Sequence, residues 1–292
     1  LLFTFFLIPG KIMFSEWFFQ GLEKMKYITI LSLLAKTVFT LSIFIFINKK
    51  SDFVFQPLIA ASGFIFSGFI SLYIIFIMWG IRLNKPKISI IFKTIKSSTD
   101  VFINNLMPNL YNSFSVLLLG FFGGSVSTGI LNAGTKFSET SNALTIVISR
   151  AFFPFLSRRI DKHSFYAKTS VFSAFLMTVV LFFFSPFIIN VFFTPEFFDS
   201  ILVLRISSFS VLFTSIIFVY GTNFLIIKNR EKDLRNATFV SSIIGFLSAV
   251  PLIYYFDYIG AALTITMSRG ILCFLIVLKV YKDKETRREA FK

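Results

Sequence analysis

Residues 236–280, NATFVSSIIGFLSAVPLIYYFDYIGAALTITMSRGILCFLIVLKV, contain two long apolar runs in direct succession. An α-helix of about 20 apolar residues crosses the hydrocarbon core of a bilayer. The stretch therefore predicts one transmembrane span over 236–256 and another over 259–280, joined by a two-residue loop at 257–258. Arg269 lies near the middle of the second span, so it is expected close to the bilayer centre.

The composition of the whole chain supports a membrane protein. Of its 292 residues, 55% are hydrophobic and 15% are charged, with a mean hydropathy of +0.80, whereas soluble domains carry about 25% charged residues. A single cysteine (Cys273) and a single histidine (His163) exclude an internal disulfide, a thiolate-rich metal site and a histidine metal cluster. We therefore predict an all-α polytopic membrane protein and exclude a water-soluble globule.

The same search along the chain predicts eight complete spans. They cover residues 28–47, 55–81, 99–122, 127–153, 169–191, 200–227, 236–256 and 259–280. Residues 1–9 are also apolar, but at about 1.5 Å per residue they reach only about half-way across a bilayer. They also lack the features of a signal peptide. We therefore expect them to be the end of a transmembrane helix, and the chain to be a fragment.

The basic residues orient the spans. Of the 29 Lys and Arg residues, 23 fall in connections on one side, only Lys49 and Lys50 fall on the other side, and four lie within spans. Such a bias marks the cytoplasmic side of a membrane protein. The net charge of +15 is therefore explained by a multi-pass orientation in the cytoplasmic membrane and by anionic lipid headgroups. Nucleic acid is not an expected partner.

The connections are short and hold no set of residues for covalent chemistry. The only histidine is on the inner side, so a nucleophile–histidine–carboxylate set on the outer side is excluded. The glycines at 120, 123 and 124 lack the Lys-Ser/Thr ending of a P-loop. We expect a transporter, not an enzyme, with no catalytic residue, no metal site and no cofactor apart from a coupling proton or sodium ion.

Four cations lie within spans: Lys36, Lys136, Arg205 and Arg269. A charge at the bilayer centre costs at least about 2.5–3.5 kcal/mol, so these side chains need a water-filled cavity or partners. The surplus over anions within spans favours an anionic ligand such as a phosphate or an acidic sugar. Alternatively, Lys36 and Arg205 reach an interface by snorkelling.

Asp100 and Glu139 are the anions within spans. Glu139 lies three residues after Lys136, so an i, i+3 ion pair that neutralises the lysine is the alternative to a free cation there.

Span 99–122 carries a row of amides. Asn105, Asn109 and Asn112 are spaced i, i+4, i+7, which places them on one helix face, and Pro108 interrupts the backbone hydrogen bonds beside them. These amides are candidates for contacts with ligand hydroxyl groups, and equally for hydrogen bonds between helices.

Two other spans have unusual composition. Span 127–153 is rich in hydroxyl and amide side chains, which at membrane depth must face protein or a water-filled cavity. Span 55–81 has Gly63, Ser67 and Ser71 on one stripe, a pattern typical of close helix–helix contact.

Three motifs resemble one family. WFFQGLEKM at 17–25 is similar to the W-x-x-Q-G-x-E-x-M inner loop of Wzx-type polysaccharide flippases, members of the multidrug/oligosaccharidyl-lipid/polysaccharide exporter superfamily. GILNAGTKF at 129–137 is similar to the family's G-x-Y-x-A-A-x-K segment, from which it departs at Leu131 and Gly134. FPFLSR at 153–158 resembles the F-P-x-L-S-R motif.

The resemblance implies a fold of twelve helices in two six-helix lobes. By it, residues 1–96 are part of the N-terminal lobe, 97–281 form the complete C-terminal lobe, and 282–292 are a charged cytoplasmic tail. The eight spans would be helices five to twelve. Because absent helices would leave half of the cavity unlined, we expect the fragment alone not to transport.

The resemblance also implies a function. The family translocates a polyprenyl-diphosphate-linked oligosaccharide repeat unit across the cytoplasmic membrane for O-antigen or capsule biosynthesis. The expected partners are that lipid-linked oligosaccharide, membrane lipids, and polymerase and chain-length proteins of the same pathway.

Given the function that the resemblance implies, each candidate residue has an expected role. The cationic side chains of Lys36, Lys136, Arg205 and Arg269 would line the cavity, and Asn105, Asn109 and Asn112 would contact the sugar. Asp100 or Glu139 would bind a coupling proton or sodium ion. Trp17, Gln20, Gly21 and Glu23 of the inner loop would govern closure of the lobes.

Two alternatives remain open. A drug/cation antiporter of the same superfamily would need carboxylates within the membrane to attract its substrate, and the cationic surplus disfavours it. A membrane-embedded polysaccharide polymerase would need a long outer loop with acidic or arginine-rich sites, and the outer connections are too short.

Overall fold

The computed structural model describes residues 2–82 and 87–282. The regular structure of these residues is helical, which confirms the prediction of an all-α polytopic membrane protein. The chain divides into two compact units, Leu1–Lys87 and Ile88–Lys292. The lobe boundary at 96/97 rests on the resemblance and stays a prediction, and the tail expected at 282–292 lies almost wholly outside the described residues.

The N-terminal unit contains α1 (Leu2–Phe5), α2 (Leu7–Met13), α3 (Glu16–Gly21), α4 (Met25–Phe46) and α5 (Gln56–Tyr73), which continues as a π-helical turn over Ile74–Met78. A 3₁₀ turn, Lys50–Phe55, joins α4 to α5.

The small-residue stripe of α5 makes the close contacts that its spacing predicts. Gly63 packs against the backbone carbonyl of Ala35 in α4, and the Ser67 hydroxyl donates to the Leu31 carbonyl at 2.7 Å. One turn later, the Ser71 hydroxyl donates to the Phe14 carbonyl at 2.8 Å. The stripe therefore holds α5 antiparallel to α4.

The C-terminal unit contains α6 (Ile88–Leu106), α7 (Asn109–Phe122), α8 (Gly124–Arg158), α9 (His163–Phe183), α10 (Ser185–Phe192), α11 (Ser200–Ile216) and α12 (Glu231–Lys282). Short 3₁₀ turns lie at Ile160–Lys162 and Pro195–Phe197, and α11 continues as a π-helical segment over Ile217–Ile226. Every predicted span is therefore largely helical, although two of them are divided between two helices.

Five of the described helices are long and apolar enough to cross a membrane: Met25–Phe46, Gln56–Met78, Ile160–Phe183, Ser200–Ile226 and Glu231–Lys282, the last of which holds two predicted spans. The predicted spans 99–122 and 127–153 are not among them, because α7 has only 14 residues and α8 is rich in polar side chains. Their crossing of the membrane stays a prediction.

Two predicted spans are divided by proline. Span 99–122 is split between α6 and α7 at Met107 and Pro108, since proline has no N–H to continue the helical hydrogen bonds. Span 169–191 is split at Phe184, and α10 starts with Pro186 in its first turn.

The two last spans form one antiparallel hairpin within α12. The helix breaks at Asp257, whose φ of 50° and ψ of −128° are non-helical, and this confirms the predicted connection at 257–258. We call residues 231–256 arm 1 and residues 258–282 arm 2. Gly260 packs so closely against the Leu252 carbonyl that a side chain would not fit. The Ser127 hydroxyl of α8 donates to the Asp257 carboxylate at 2.6 Å.

Polar contacts fix the direction of the helices around α11. α8 runs parallel to it, because the Ser200 hydroxyl donates to the Ile130 carbonyl at 2.9 Å and Asn142 donates to Ser210 further along both helices. α9 runs antiparallel to α11. Its pairs are Ser170 with Ser215 and Thr178 with Ser208. The alternation is the one expected for successive spans with short connections.

The C-terminal unit has a polar layer between two apolar clusters. The first cluster includes Leu119, Leu131, Val203 and Ile253. The second includes Phe224, Leu234, Leu272 and Ile276. Between them lie Arg269 and the buried polar residues Ser138, Asn142, Ser207, Ser210, Ser241, Ser242 and Ser268. We call these residues the polar layer.

Substituting Gly134 tests the contact between α8 and α11. An alanine Cβ at 134 would lie 2.5 Å from the Val203 Cβ, and such overpacking costs about 1–3 kcal/mol. We expect Gly134→Ala to lower the melting temperature of the protein in detergent. Gly129→Ala is the matched control in the same helix, because its Cβ would meet nothing closer than Phe197 at 3.7 Å. Equal melting temperatures for the two variants would contradict the packing of α8 on α11.

Candidate functional site

Arg269 lines two adjoining cavities in the C-terminal unit. The first, of about 220 Å³, lies between α7, α8, α11 and arm 2. The second, of about 390 Å³, extends toward α6 and the start of α12. Asn112 and Arg269 line both cavities. We call the two together the Arg269 cleft.

The Arg269 guanidinium is half-buried at the polar layer. Its Nη2 donates to Asn112 Oδ1 at 3.4 Å, and the Tyr111 hydroxyl is its other polar neighbour. Within the described residues, no carboxylate lies within 4.0 Å of the guanidinium. Since a guanidinium has five N–H donors, most of them are available to an anion.

Two side-chain oxygens in the second cavity accept no hydrogen bond from the described residues. They are the buried Oδ1 atoms of Asn104 and Asn142, and the Asn142 amide nitrogen donates to Ser210 Oγ at 3.2 Å. A buried acceptor without a donor costs about 1–3 kcal/mol. A ligand that brings hydroxyl groups into the cleft would supply the missing donors.

Neither asparagine was predicted as a site residue. Asn142 lies in α8, whose polar composition was the available signal, and Asn104 lies beside the predicted Asn105. Composition alone does not select which polar side chains of a span face the same cavity.

Four predicted site residues line the Arg269 cleft. They are Arg269, Asn112, Asn105 and Glu139. Asn109 does not line it, and its amide donates to the Asn105 carbonyl at 3.3 Å. The i, i+4 relation between Asn105 and Asn109 assumed one continuous helix, and the break between α6 and α7 changes their relative orientation.

The structure places the other predicted cations elsewhere. Lys136 is exposed on α8, outside the cleft lining, and makes no ion pair with Glu139. Arg205 Nε donates to Ser185 Oγ at 3.0 Å, and its guanidinium carbon lies 5.8 Å from the centre of the Phe182 ring.

Two predicted residues cannot be related to the cleft. Lys36 is exposed on α4 in the N-terminal unit. Asp100 falls within α6, and its side chain lies outside the described residues. Their roles stay predictions.

The predicted inner-loop motif forms α3 and the turn after it. Trp17 and Gln20 are exposed, Gly21 is the last residue of α3, and Glu23 has a positive φ of 57°. The buried residue of the motif is Phe19, whose ring centre lies 5.6 Å from that of Tyr27. The role of the motif in lobe closure stays a prediction.

The family to which the chain belongs is shown by a match over its first 160 residues. The family model described as "Polysaccharide biosynthesis protein" matches residues 1–160, more than half of the chain. The chain belongs to this polysaccharide biosynthesis protein family. The matched part of this family member reaches through α8, which contributes Asn142 to the Arg269 cleft.

Two similar proteins extend the comparison beyond α8. The "Putative O-antigen transporter" of Escherichia coli (strain K12) is 26% identical over 287 residues, 95% of this chain and 69% of the relative. That of Shigella dysenteriae is 27% identical over 285 residues, 94% of this chain and 70% of the relative. No solved structure matches the chain.

Charged and polar side chains of several helices meet in the cleft of this polysaccharide biosynthesis family member. It combines one cation, Arg269, with two carboxylates, Glu139 and Glu231, and with several amides and hydroxyls. Among the described residues, no group of three or more His, Cys, Asp and Glu side chains could hold a metal ion.

Cysteine labelling tests whether the Arg269 cleft contains water. On a Cys273→Ser background, we expect Asn132→Cys, exposed in the cleft, to react with a charged, membrane-impermeant maleimide. Met267→Cys is the control, since Met267 is exposed in an apolar groove two residues from Arg269. The thiolate that reacts forms in water and is disfavoured in hydrocarbon, so we expect at least about tenfold faster labelling of Asn132→Cys. Equal rates at the two positions would contradict a hydrated cleft.

Proposed function

We propose that this chain belongs to a transporter that moves a polyprenyl-diphosphate-linked oligosaccharide repeat unit across the cytoplasmic membrane, for O-antigen or capsule biosynthesis. The observation that carries the proposal is the Arg269 guanidinium, which lacks a carboxylate partner among the described residues at the polar layer of a membrane helix bundle. The two similar proteins named as O-antigen transporters support it.

The proposed substrate presents a diphosphate and sugar hydroxyls, neither of which hydrocarbon solvates. A guanidinium binds phosphate oxygens through two parallel N–H donors. The unpaired oxygens of Asn104 and Asn142 would accept hydrogen bonds from sugar hydroxyls beside it. The Arg269 cleft therefore offers complementary groups to both parts of the substrate head, while the lipid tail remains in the bilayer.

Transport by this route needs no covalent step. Transporters bind at mid-membrane and open to one side at a time, and the polar layer provides such a site at mid-height in the C-terminal unit. The names of the similar proteins support a non-enzymatic role. Polymerase and chain-length proteins of the pathway remain predicted partners.

Glu139 is the coupling-ion candidate that lies in the Arg269 cleft. It makes no ion pair with a described residue. A proton or sodium ion on its carboxylate would remove a negative charge from the cavity that receives the diphosphate. We therefore propose Glu139, before Asp100, as the site where ion binding favours substrate binding.

Removing the positive charge of Arg269 is expected to reduce the export of polysaccharide. We expect Arg269→Gln, made in the gene at its own locus, to lower surface polysaccharide at least about tenfold, because a charge-assisted hydrogen bond contributes about 1.5–3 kcal/mol. Arg269→Lys should retain part of the export, since it keeps the charge but loses the planar fork. Surface polysaccharide is measured by gel electrophoresis and immunoblotting.

Two controls and two deciding outcomes make this test specific. Lys232→Gln, at an exposed position outside the cleft, should export like the wild type. The abundance and melting temperature of Arg269→Gln must match those of the wild type, so that lost export is not lost protein. Wild-type export by a well-folded Arg269→Gln variant would overturn the proposed function. Lipid-linked sugars at the outer surface that stay unpolymerised would instead favour the polymerase alternative.

A further inference from the structure

A second large concavity lies on the opposite face of α11 from the Arg269 cleft. It has a volume of about 910 Å³ and lies between α9, α11, the π-helical segment and arm 2. Its lining is mainly apolar and includes Val171, Phe172, Phe175, Leu212 and Ile216. We call it the α9 groove. Phe172 and Phe175 are more than half exposed, so the groove is open at the surface of the C-terminal unit.

The α9 groove has a polar end. Lys168, Ser164 and Thr169 lie in the first turns of α9, directly after the basic connection that holds Arg159 and Lys162. Lys168 is exposed and makes no ion pair with a described residue. The Thr169 hydroxyl donates to the Phe165 carbonyl. The Lys168 ammonium is therefore a charge at this end of the groove without an ion-pair partner among the described residues.

The length of the groove falls within one leaflet of a bilayer. From Lys168 to Phe175 the rise of α9 is about 10 Å at about 1.5 Å per residue, whereas half of the hydrocarbon core measures about 15 Å. Lys168 and its hydroxyl neighbours stand at the end that the basic residues assign to the cytoplasmic interface. An acyl chain that follows the groove would therefore place its headgroup at Lys168.

We propose that the α9 groove binds a glycerophospholipid with a negatively charged headgroup, taken from the inner leaflet. Its acyl chains lie on Phe172, Phe175 and Ile216. Its phosphate oxygens accept hydrogen bonds from the Lys168 ammonium and the Ser164 hydroxyl. The chain of a polyprenyl carrier is much longer than one leaflet, so a groove that falls within one leaflet favours the ordinary bilayer lipid.

The lipid would support the wall of the Arg269 cleft from behind. Leu212, Ile216 and Tyr220 face the α9 groove, whereas Thr214 and Phe218, on the same continuous segment, face the Arg269 cleft. A chain packed in the groove holds this segment against α9. Lipid binding should therefore raise the melting temperature of the chain as well as occupy the groove.

The test uses the purified chain in detergent, titrated with phosphatidylglycerol or with phosphatidylcholine of the same acyl chains. Bound lipid is counted by native mass spectrometry, and the melting temperature is followed in parallel. We expect tighter binding of phosphatidylglycerol and a larger rise in melting temperature with it. Lys168→Gln should weaken phosphatidylglycerol binding about fivefold, because one lysine near an anionic surface contributes about 1 kcal/mol. It should weaken phosphatidylcholine binding less, because the choline ammonium offsets the phosphate charge of that lipid.

Lys232→Gln is the matched control, since it removes an exposed lysine from the same predicted side outside the groove. It should bind phosphatidylglycerol like the wild type. Equal binding of the two lipids by the wild type would overturn the proposal, because it would show no preference for a negatively charged headgroup. Equal loss in both lysine variants would overturn it by showing unspecific attraction to positive charge.

A crosslinking experiment locates the lipid without depending on Lys168. A benzophenone amino acid at Phe172 should crosslink to phosphatidylglycerol more strongly than one at Phe165, which is equally exposed on α9 but lies outside the groove lining. Equal crosslinking at both positions would contradict an ordered lipid. Displacement of the crosslink by polyprenyl phosphate, but not by added phosphatidylglycerol, would assign the groove to the carrier lipid and overturn our choice of occupant.

Discussion

The structure of the C-terminal unit depends on the cost of keeping a guanidinium away from water. A charge at the bilayer centre is several kcal/mol unfavourable unless polar groups or water surround it. The polar layer meets that requirement, because Asn112 and the buried serines and asparagines stand at the height of Arg269. The apolar clusters lie above and below this layer. Apolar side chains are therefore buried above and below the polar layer, and polar groups surround the Arg269 cation within it.

Much of the architecture could be predicted from the sequence because apolar length and charge bias report directly on the membrane. Each predicted span is largely helical, and the predicted connection at 257–258 is where α12 turns. The helix breaks at Pro108 and Phe184 were harder to predict, because a proline can kink a helix, begin a new one or be accommodated without a break. Their outcome depends on tertiary contacts that a single segment does not contain.

The candidate site was less predictable for a geometric reason. Residues in one cavity come from several helices, and sequence spacing defines faces only within one helix. The amide row is therefore divided: Asn105 and Asn112 line the Arg269 cleft, whereas the Asn109 amide donates to the backbone of α6. Likewise Lys136 and Glu139 lie one turn apart on α8, yet only Glu139 lines the cleft. Which of two nearby residues on a helix lines the cleft depends on the rotation of that helix about its axis, and packing sets this rotation.

The hairpin turn at Asp257 has a consequence for biogenesis. With a break of a single residue and with Gly260 against the Leu252 carbonyl, arms 1 and 2 are in contact directly from the turn onward. We expect them to enter the bilayer as a pair. Arg269 would then leave the translocation machinery already shielded on one side by the serine-rich surface of arm 1, so that the partitioning cost of its charge is shared between two helices at the moment of integration.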